Sequence, residues 1–304
     1  MADASFKLFS GTSHPRLAGE IADCLGVDLG KVRIDVFPDG EIGVQIIEDV
    51  RDRDVFVVQS IARNPNFYLM ELLIFIDALK RAPARHITAV IPYYGYARQD
   101  RIDKGCVPIT AKMVADLLER VGVHRVITMD LHAEQIQGFF NIPVDNLYSS
   151  SALMKGVERL GCEEVVVTAP DVGSVKLVRV MATAMGASFA VVDKQRIDPS
   201  HVGVYRLIGD VQGKDVIVVD DICSSGSTLQ GATLACTEGG ARRIFAVVTH
   251  GLFVKEEIFS NRAIERFLVT NTVPLPDGVD SSKVAVCSVA GIFGRAIDRV
   301  CDRS

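Results

Sequence analysis

The run Val216-Ile217-Val218-Val219-Asp220-Asp221-Ile222-Cys223-Ser224-Ser225-Gly226-Ser227-Thr228 carries the reading of the fold. Its β-branched, apolar start is the pattern of a fully buried strand, and a helical pattern takes over from Leu229. A strand feeding a helix through a short turn is the repeating half of a parallel sheet. The turn also carries chemistry. Small residues between a strand and a helix expose backbone N–H groups at the helix N-terminus, which is a cradle for phosphate. Asp220 and Asp221, at the expected strand end, cannot hold a phosphate. They suit hydroxyls, as acceptors for the cis-diol of a ribose, and diol acceptors beside a phosphate nest describe a ribose 5-phosphate site. A helix-capping Asp with Ser and Gly as turn residues would explain each part separately. All thirteen residues together favour the functional reading.

The same alternation runs through nearly the whole chain. Strand patterns cover Val32–Val36, Val55–Val58, His86–Ile91, Arg125–Met129, Val165–Ala169, Ala187–Val192, Val216–Val219, Ile244–Thr249 and Val284–Ser288. Helical patterns lie between several of them, at Pro15–Leu25, Tyr68–Lys80, Ala111–Val121, Ser151–Leu160, Val175–Met185, Leu229–Glu238 and Val289–Val300. Apolar strands alternating with amphipathic helices predict an α/β fold of mainly parallel sheets flanked by helices. A weak repeat supports two related domains: Gly122-Val123-His124-Arg125-Val126-Ile127 through His132 resembles Gly240-Ala241-Arg242-Arg243-Ile244-Phe245 through His250. The polar segment after Pro143 sets the expected boundary, giving domains 1–147 and 148–304 in close packing.

At 304 residues the chain is long enough for about two domains. A net charge of -5 argues against a nucleic-acid or membrane-surface binder, so an anionic small substrate would need local Arg and Lys clusters. No apolar run reaches a membrane span, and the N-terminus lacks a basic-then-apolar signal pattern. Seven scattered cysteines without a Cys-x-x-Cys pair read as reduced thiols, which predicts a cytoplasmic protein without a zinc site.

Five further segments bear on chemistry. Phe37-Pro38-Asp39-Gly40-Glu41 is a hairpin turn on its face. Tyr93-Tyr94-Gly95-Tyr96-Ala97-Arg98-Gln99-Asp100-Arg101 follows an apolar strand; its arginines could clamp polyphosphate or stack on a base, or form a solvated basic loop. In Met129-Asp130-Leu131-His132 a His and an acid at a strand end could serve magnesium, although a lone His is more often structural. Asp171, in Ala169-Pro170-Asp171-Val172-Gly173-Ser174-Val175, is the better magnesium candidate, with helix capping as its alternative. Lys194 and Arg196, just beyond a buried strand, project the same way if extended and could close over a transferring phosphoryl group. Such contacts are worth about 10³–10⁵ in rate. Cys223, near a helix N-terminus, invites a lowered thiol pKa, against the plainer reading of a small loop filler.

Taken together these segments resemble the ribose-phosphate pyrophosphokinase family, over nearly the whole chain. The resemblance runs from Phe9-Ser10-Gly11 through Phe37–Glu41, Met70-Glu71-Leu72-Leu73, Tyr93–Arg101 and Asp130-Leu131-His132-Ala133-Glu134-Gln135-Ile136-Gln137-Gly138-Phe139-Phe140 to Thr249-His250-Gly251-Leu252-Phe253. It implies two stacked phosphoribosyltransferase-like domains, the N-terminal one on the ATP side and the C-terminal one on the ribose 5-phosphate side. It implies transfer of the β,γ-diphosphoryl group of ATP to ribose 5-phosphate, with Mg2+ as cofactor. Carried over by position, Arg98, Gln99 and Asp100 meet ATP, while Phe37, Asp39 and Glu41 reach it from a neighbouring subunit. His132 and Asp171 match metal-associated positions, and Lys194 and Arg196 the flexible catalytic loop. Asp220 and Asp221 match the ribose-diol acids, and Ser224, Ser225, Gly226, Ser227 and Thr228 the 5-phosphate loop. A shared ATP site implies a homo-oligomer, a dimer at minimum, in a family where hexamers are common.

Departures stand out. Ser224 and Ser227 replace an acid and a Gly of the commonest pattern, and Ser227 would be strained if its φ had to be positive. Ile102-Asp103-Lys104-Gly105-Cys106-Val107 has fewer basic residues than usual, Leu177 stands at a usually basic position, and the sequence closes at Ser304, where many members continue. These departures predict weak dependence on inorganic phosphate. A nucleobase phosphoribosyltransferase would share the Asp220–Thr228 loop without needing Arg98–Arg101. A non-catalytic regulatory homologue would have lost positions such as His132, Asp171, Lys194 and Arg196, which are all in place.

Overall fold

A computed structural model describes residues 6–195 and 204–302. The chain divides into two compact units.

The first unit runs through Tyr148 and takes in Thr272–Pro274 and the chain from Val289 onward. Its elements are β1 (Phe6–Ser10), α1 (Pro15–Leu25), β2 (Val32–Val36), β3 (Ile42–Ile46), β4 (Asp54–Val58), α2 (Pro65–Arg81), β5 (His86–Ile91), α3 (Thr110–Val121), β6 (Arg125–Met129) and β7 (Val144–Leu147). The sheet is parallel, in the order β1-β4-β5-β6-β7, and β2 and β3 form a separate antiparallel hairpin. Val55, Val57, Ile87, Ala89 and Val126 of the sheet pack with Leu72, Phe75, Ile76, Val114 and Leu118 of α2 and α3 in one buried core.

The second unit comprises Ser149–Asn271 and Leu275–Ser288. It contains α4 (Ser150–Glu158), β8 (Val165–Ala169), α5 (Val175–Met185), β9 (Ser188–Gln195), β10 (Val204–Ile208), β11 (Asp215–Cys223), α6 (Ser227–Glu238), β12 (Arg243–Gly251), β13 (Ile264–Thr270) and β14 (Val284–Cys287). Its seven-stranded sheet has the order β10-β9-β8-β11-β12-β13-β14 and is parallel except for the β9–β10 pair. One face is buried under α6, the other under α4 and α5.

The sequence reading drew a single break after residue 147. In the structure the last helix, α7 (Ala290–Cys301), groups with the first unit, where it packs on α1. Gly294 permits the approach: a Cβ there would stand 3.3 Å from Cβ of Cys24. The internal repeat corresponds to α3–β6 in one unit and α6–β12 in the other, each joined through a positive-φ glycine, Gly122 or Gly240.

Strand β11 departs from expectation. It continues four residues beyond Val219, through both acids to Cys223. The reason is asymmetric pairing: β11 stays in register with β12 as far as Cys223 opposite Gly251, whereas its pairing with β8 ends at Val218 opposite Thr168. The acids therefore sit on strand backbone held from one side only, beyond the end of β8. Among the described residues no helix is long and apolar enough to cross a membrane, and all seven cysteines are unpaired.

Candidate active site

In a parallel sheet the loops at the carboxyl ends of the strands gather functional groups. In the second unit those are the loops after β8, β11 and β12. Asp220 is buried, and its Oδ1 accepts two hydrogen bonds, from Ser174 Oγ at 2.8 Å and from the amide of Asp221 at 3.0 Å. Asp171 Oδ1 accepts from the amides of Gly173 at 2.9 Å and Ser174 at 3.3 Å, which ties the turn before α5 without capping that helix. Burial, and then the charge of Asp221, hold the Asp220 carboxyl well above the usual carboxylate range; Asp171 adds to the rise, while the Ser174 hydroxyl opposes it.

Next to these acids the chain turns into α6. Gly226 takes the left-handed conformation, φ 81°, and Ser227 is already the first helical residue. The positive φ thus falls on the glycine, and Ser227 sits without strain. The N-cap residue Gly226 offers no side chain to cap α6, and within the loop Ser225 Oγ accepts from the Ser227 amide at 3.5 Å. The loop is held from behind: Cys223 O accepts from the amides of Leu252 and Phe253, and Ser224 O from that of Val254. Ser225 Oγ and Ser227 Oγ lie 3.2 Å apart on the exposed side. A hydroxyl pair at a helix N-terminus suits a dianionic phosphate. Cys223 does not fit the lowered-pKa expectation. It is buried, and that burial pushes its thiol up to about 12, with the charge of Asp220 adding to the rise.

In the first unit the tyrosine–arginine segment follows β5. Gly95 is required by close approach, because a Cβ there would stand 2.6 Å from the carbonyl oxygen of Ile61. Tyr94 is buried and donates to Ala111 O at 3.1 Å, tying the segment to α3. Gln99 serves the same end, accepting from the Thr110 hydroxyl through its side chain and from the Ala111 amide through its carbonyl. Asp100 accepts from Gln135 Nε2 at 2.8 Å. Arg98 is exposed, as is His132 in the loop after β6. Phe37, Asp39 and Glu41 are exposed on the tip of the β2–β3 hairpin, which Gly40 closes at φ 93°. Lys194 belongs to the end of β9, opposite Tyr205 on β10, while Arg196 lies outside the described residues.

Residues 6–122 match the family model for the "N-terminal domain of ribose phosphate pyrophosphokinase", and residues 191–304 that for the "Phosphoribosyl synthetase-associated domain". A ribose-phosphate pyrophosphokinase of Wolinella succinogenes is 48% identical over 297 residues, covering 97% of this chain and 96% of the relative. One of Clostridium perfringens is 48% identical over 303 residues, covering 98% and 95%. The crystal structure of phosphoribosylpyrophosphate synthetase from Mycobacterium smegmatis superposes with a TM-score of 0.93 at 37% identity, covering 98% of this chain and 99% of that one. The chain belongs to the ribose-phosphate pyrophosphokinase family.

Within that family the two α/β units are phosphoribosyltransferase-like, as the resemblance implied. The residue that sequence reasoning missed is Ser174, whose hydroxyl reaches Asp220 across 46 positions. The only local hint was a second small residue after Asp171-Val172-Gly173. A ribose-phosphate pyrophosphokinase also implies a metal. Among the described residues no three His, Cys, Asp or Glu side chains gather to hold an ion by themselves. Mg2+ usually takes one or two carboxylates and completes its shell with water and phosphate oxygens. Burial is the larger cause of the raised Asp220 carboxyl, and the charges of Asp221 and Asp171 add to it; that negative charge at the loop ends of β8 and β11 suits a dication.

Proposed function

We infer that this chain transfers the β,γ-diphosphoryl group of ATP to the anomeric hydroxyl of ribose 5-phosphate, giving phosphoribosyl pyrophosphate and AMP. The observation that carries the inference is the acid pair on β11 beside the N-terminus of α6, in a chain of this family. Asp220 and Asp221 accept from the ribose 2- and 3-hydroxyls, and the amides and hydroxyls of Ser224–Thr228 bind the 5-phosphate. That clamp leaves the anomeric oxygen to attack the β-phosphorus. The bond from that phosphorus to the α,β-bridging oxygen breaks, and AMP departs with the bridging oxygen. Catalysis is then positioning and charge neutralisation. Lys194 and Arg196 neutralise the transferring group; Arg98, Gln99 and Asp100 hold ATP, aided by Phe37, Asp39 and Glu41 of a neighbouring copy. His132 and Asp171 would each offer a ligand to Mg2+, which would offset triphosphate charge. The working form is a cytoplasmic homo-oligomer, at least a dimer, active without added inorganic phosphate.

The test is AMP release from ATP and Mg2+ with and without ribose 5-phosphate, beside Lys194→Ala. Release that depends on ribose 5-phosphate and falls at least 10³-fold in the variant supports the reading. Release that ignores ribose 5-phosphate, or a variant as fast as wild type, refutes it.

A further inference from the structure

Ser174 is the fourth residue of a turn that Asp171 opens and ties down through Oδ1 contacts to the amides of Gly173 and Ser174. The side chain is buried, at 7% exposure, and its hydroxyl donates to Asp220 Oδ1 at 2.8 Å. Its place at the start of α5 suggests a helix cap, but it does not act as one: the residue has αR angles, and no side-chain hydrogen bond caps that helix. The hydroxyl is therefore spent on Asp220 alone among the hydrogen bonds described. Asp220 needs such a partner. It lies on the part of β11 that has lost β8 as a neighbour, so on that side the sheet does nothing to fix it. Ser174 and the Asp221 amide both donate to Oδ1, which anchors that oxygen and leaves Oδ2 outside these two bonds. A carboxylate locked in this way is prearranged for a diol; an unlocked one must lose rotational freedom on binding.

We propose that Ser174 is a positioning residue for ribose 5-phosphate, acting through Asp220 to preset the acceptor for the ribose diol. This rests on the ribose 5-phosphate site proposed above. It assigns the loop after β8 a second task beside that of Asp171, and it makes affinity for the sugar, not for ATP, the quantity Ser174 controls.

The experiment measures ribose 5-phosphate binding by calorimetry and KM for both substrates in Ser174→Ala, Ser174→Thr, Asp220→Asn and the Ser174→Ala/Asp220→Asn pair. A hydrogen bond to a charged group predicts that Ser174→Ala raises Kd and KM for ribose 5-phosphate about tenfold. KM for ATP stays unchanged, which also shows that the variant is folded. Ser174→Thr, which keeps a hydroxyl, recovers most of the loss, and in the Asp220→Asn background Ser174→Ala costs less than in wild type, because the neutral amide oxygen is the weaker acceptor. An unchanged Kd, an equal rise in both KM values, or full additivity with Asp220→Asn overturns the positioning role while leaving the site intact. A wild-type chain that does not bind ribose 5-phosphate at all overturns the underlying site and the positioning role together.

Discussion

Asp220 and Asp221 are adjacent in sequence but differ in surroundings, Asp220 buried and Asp221 half-exposed. Because burial raises the Asp220 pKa, the native state binds this proton more tightly than the unfolded chain does. The sign follows. The group favours folding below the unfolded carboxylate pKa of about 4, and that benefit is lost as pH rises through the folded value. The raised pKa of Asp220 therefore costs stability at pH 7. Asp220→Asn should unfold at higher urea concentration than wild type at pH 7, with the difference vanishing toward pH 3. The same variant should bind ribose 5-phosphate about 10- to 100-fold more weakly, the worth of a hydrogen bond to a charged acceptor. Equilibrium urea melts and calorimetry read both effects. The turn into α6 was legible in sequence because Gly226 and its serines are turn chemistry. The partner of Asp220 was not, because a hydrogen bond spanning 46 residues leaves no local periodicity.

At the scale of elements, both units fix the start of a central strand in the same way. Asp54 opens β4 and is bound by Arg85 and His86, which precede and open β5. Asp215 opens β11, is fully buried, and accepts from Arg242 at 2.8 and 2.9 Å, from Arg243 at 3.1 Å, and from the amide of Glu163 at 2.8 Å. Burial alone would push Asp215 up, but the hydrogen bonds of Arg243 and Arg242 outweigh it and hold its carboxyl well below the usual range. Its contribution is thus present above the unfolded pKa of about 4 and fades as pH falls toward the folded value. Asp215→Asn should cost about 2–3 kcal/mol at pH 7. That is less than the 3–5 kcal/mol of a fully buried pair, because the guanidiniums it leaves behind are 42% and 30% exposed. Urea melts should show the gap between variant and wild type narrowing from pH 7 to pH 3. Element bounds were readable where punctuation is strong: α1 and α5 match expectation because left-handed Gly26 and Gly186 stop them. Strands β1, β7, β10 and β13 were missed. Asp145 and Asn146 lie within β7, and Glu265 and Arg266 interrupt the apolar run of β13, yet ladder partners hold both in place. The end of β11 was set too early for the same reason, since Asp is rare in strands until a neighbouring strand holds it.

For the molecule as a whole, the exposed tip of the β2–β3 hairpin is the feature that speaks for assembly. Phe37 is 52% exposed, and Val36 and Ile47 beside it are similarly open. A site completed by this tip from a second copy makes a distinct prediction. Phe37→Asp and Arg98→Ala chains should each be nearly inactive alone, yet recover part of the wild-type rate when subunits are exchanged by mixing. Recovery should be absent if both substitutions are carried on one chain and mixed with itself; rate assays before and after mixing decide it. The two-unit α/β architecture was visible in the alternation of strands and helices. The return of α7 to the first unit was not, because its apolar stripe would suit either sheet.

The central claim is diphosphoryl transfer, and phosphorus-31 NMR of ATP, ribose 5-phosphate and Mg2+ with the purified protein tests it most directly. The account predicts AMP and a C1-linked diphosphate on ribose 5-phosphate, formed in equal amounts. ADP with a singly phosphorylated anomeric carbon, or a spectrum that does not change, would contradict it.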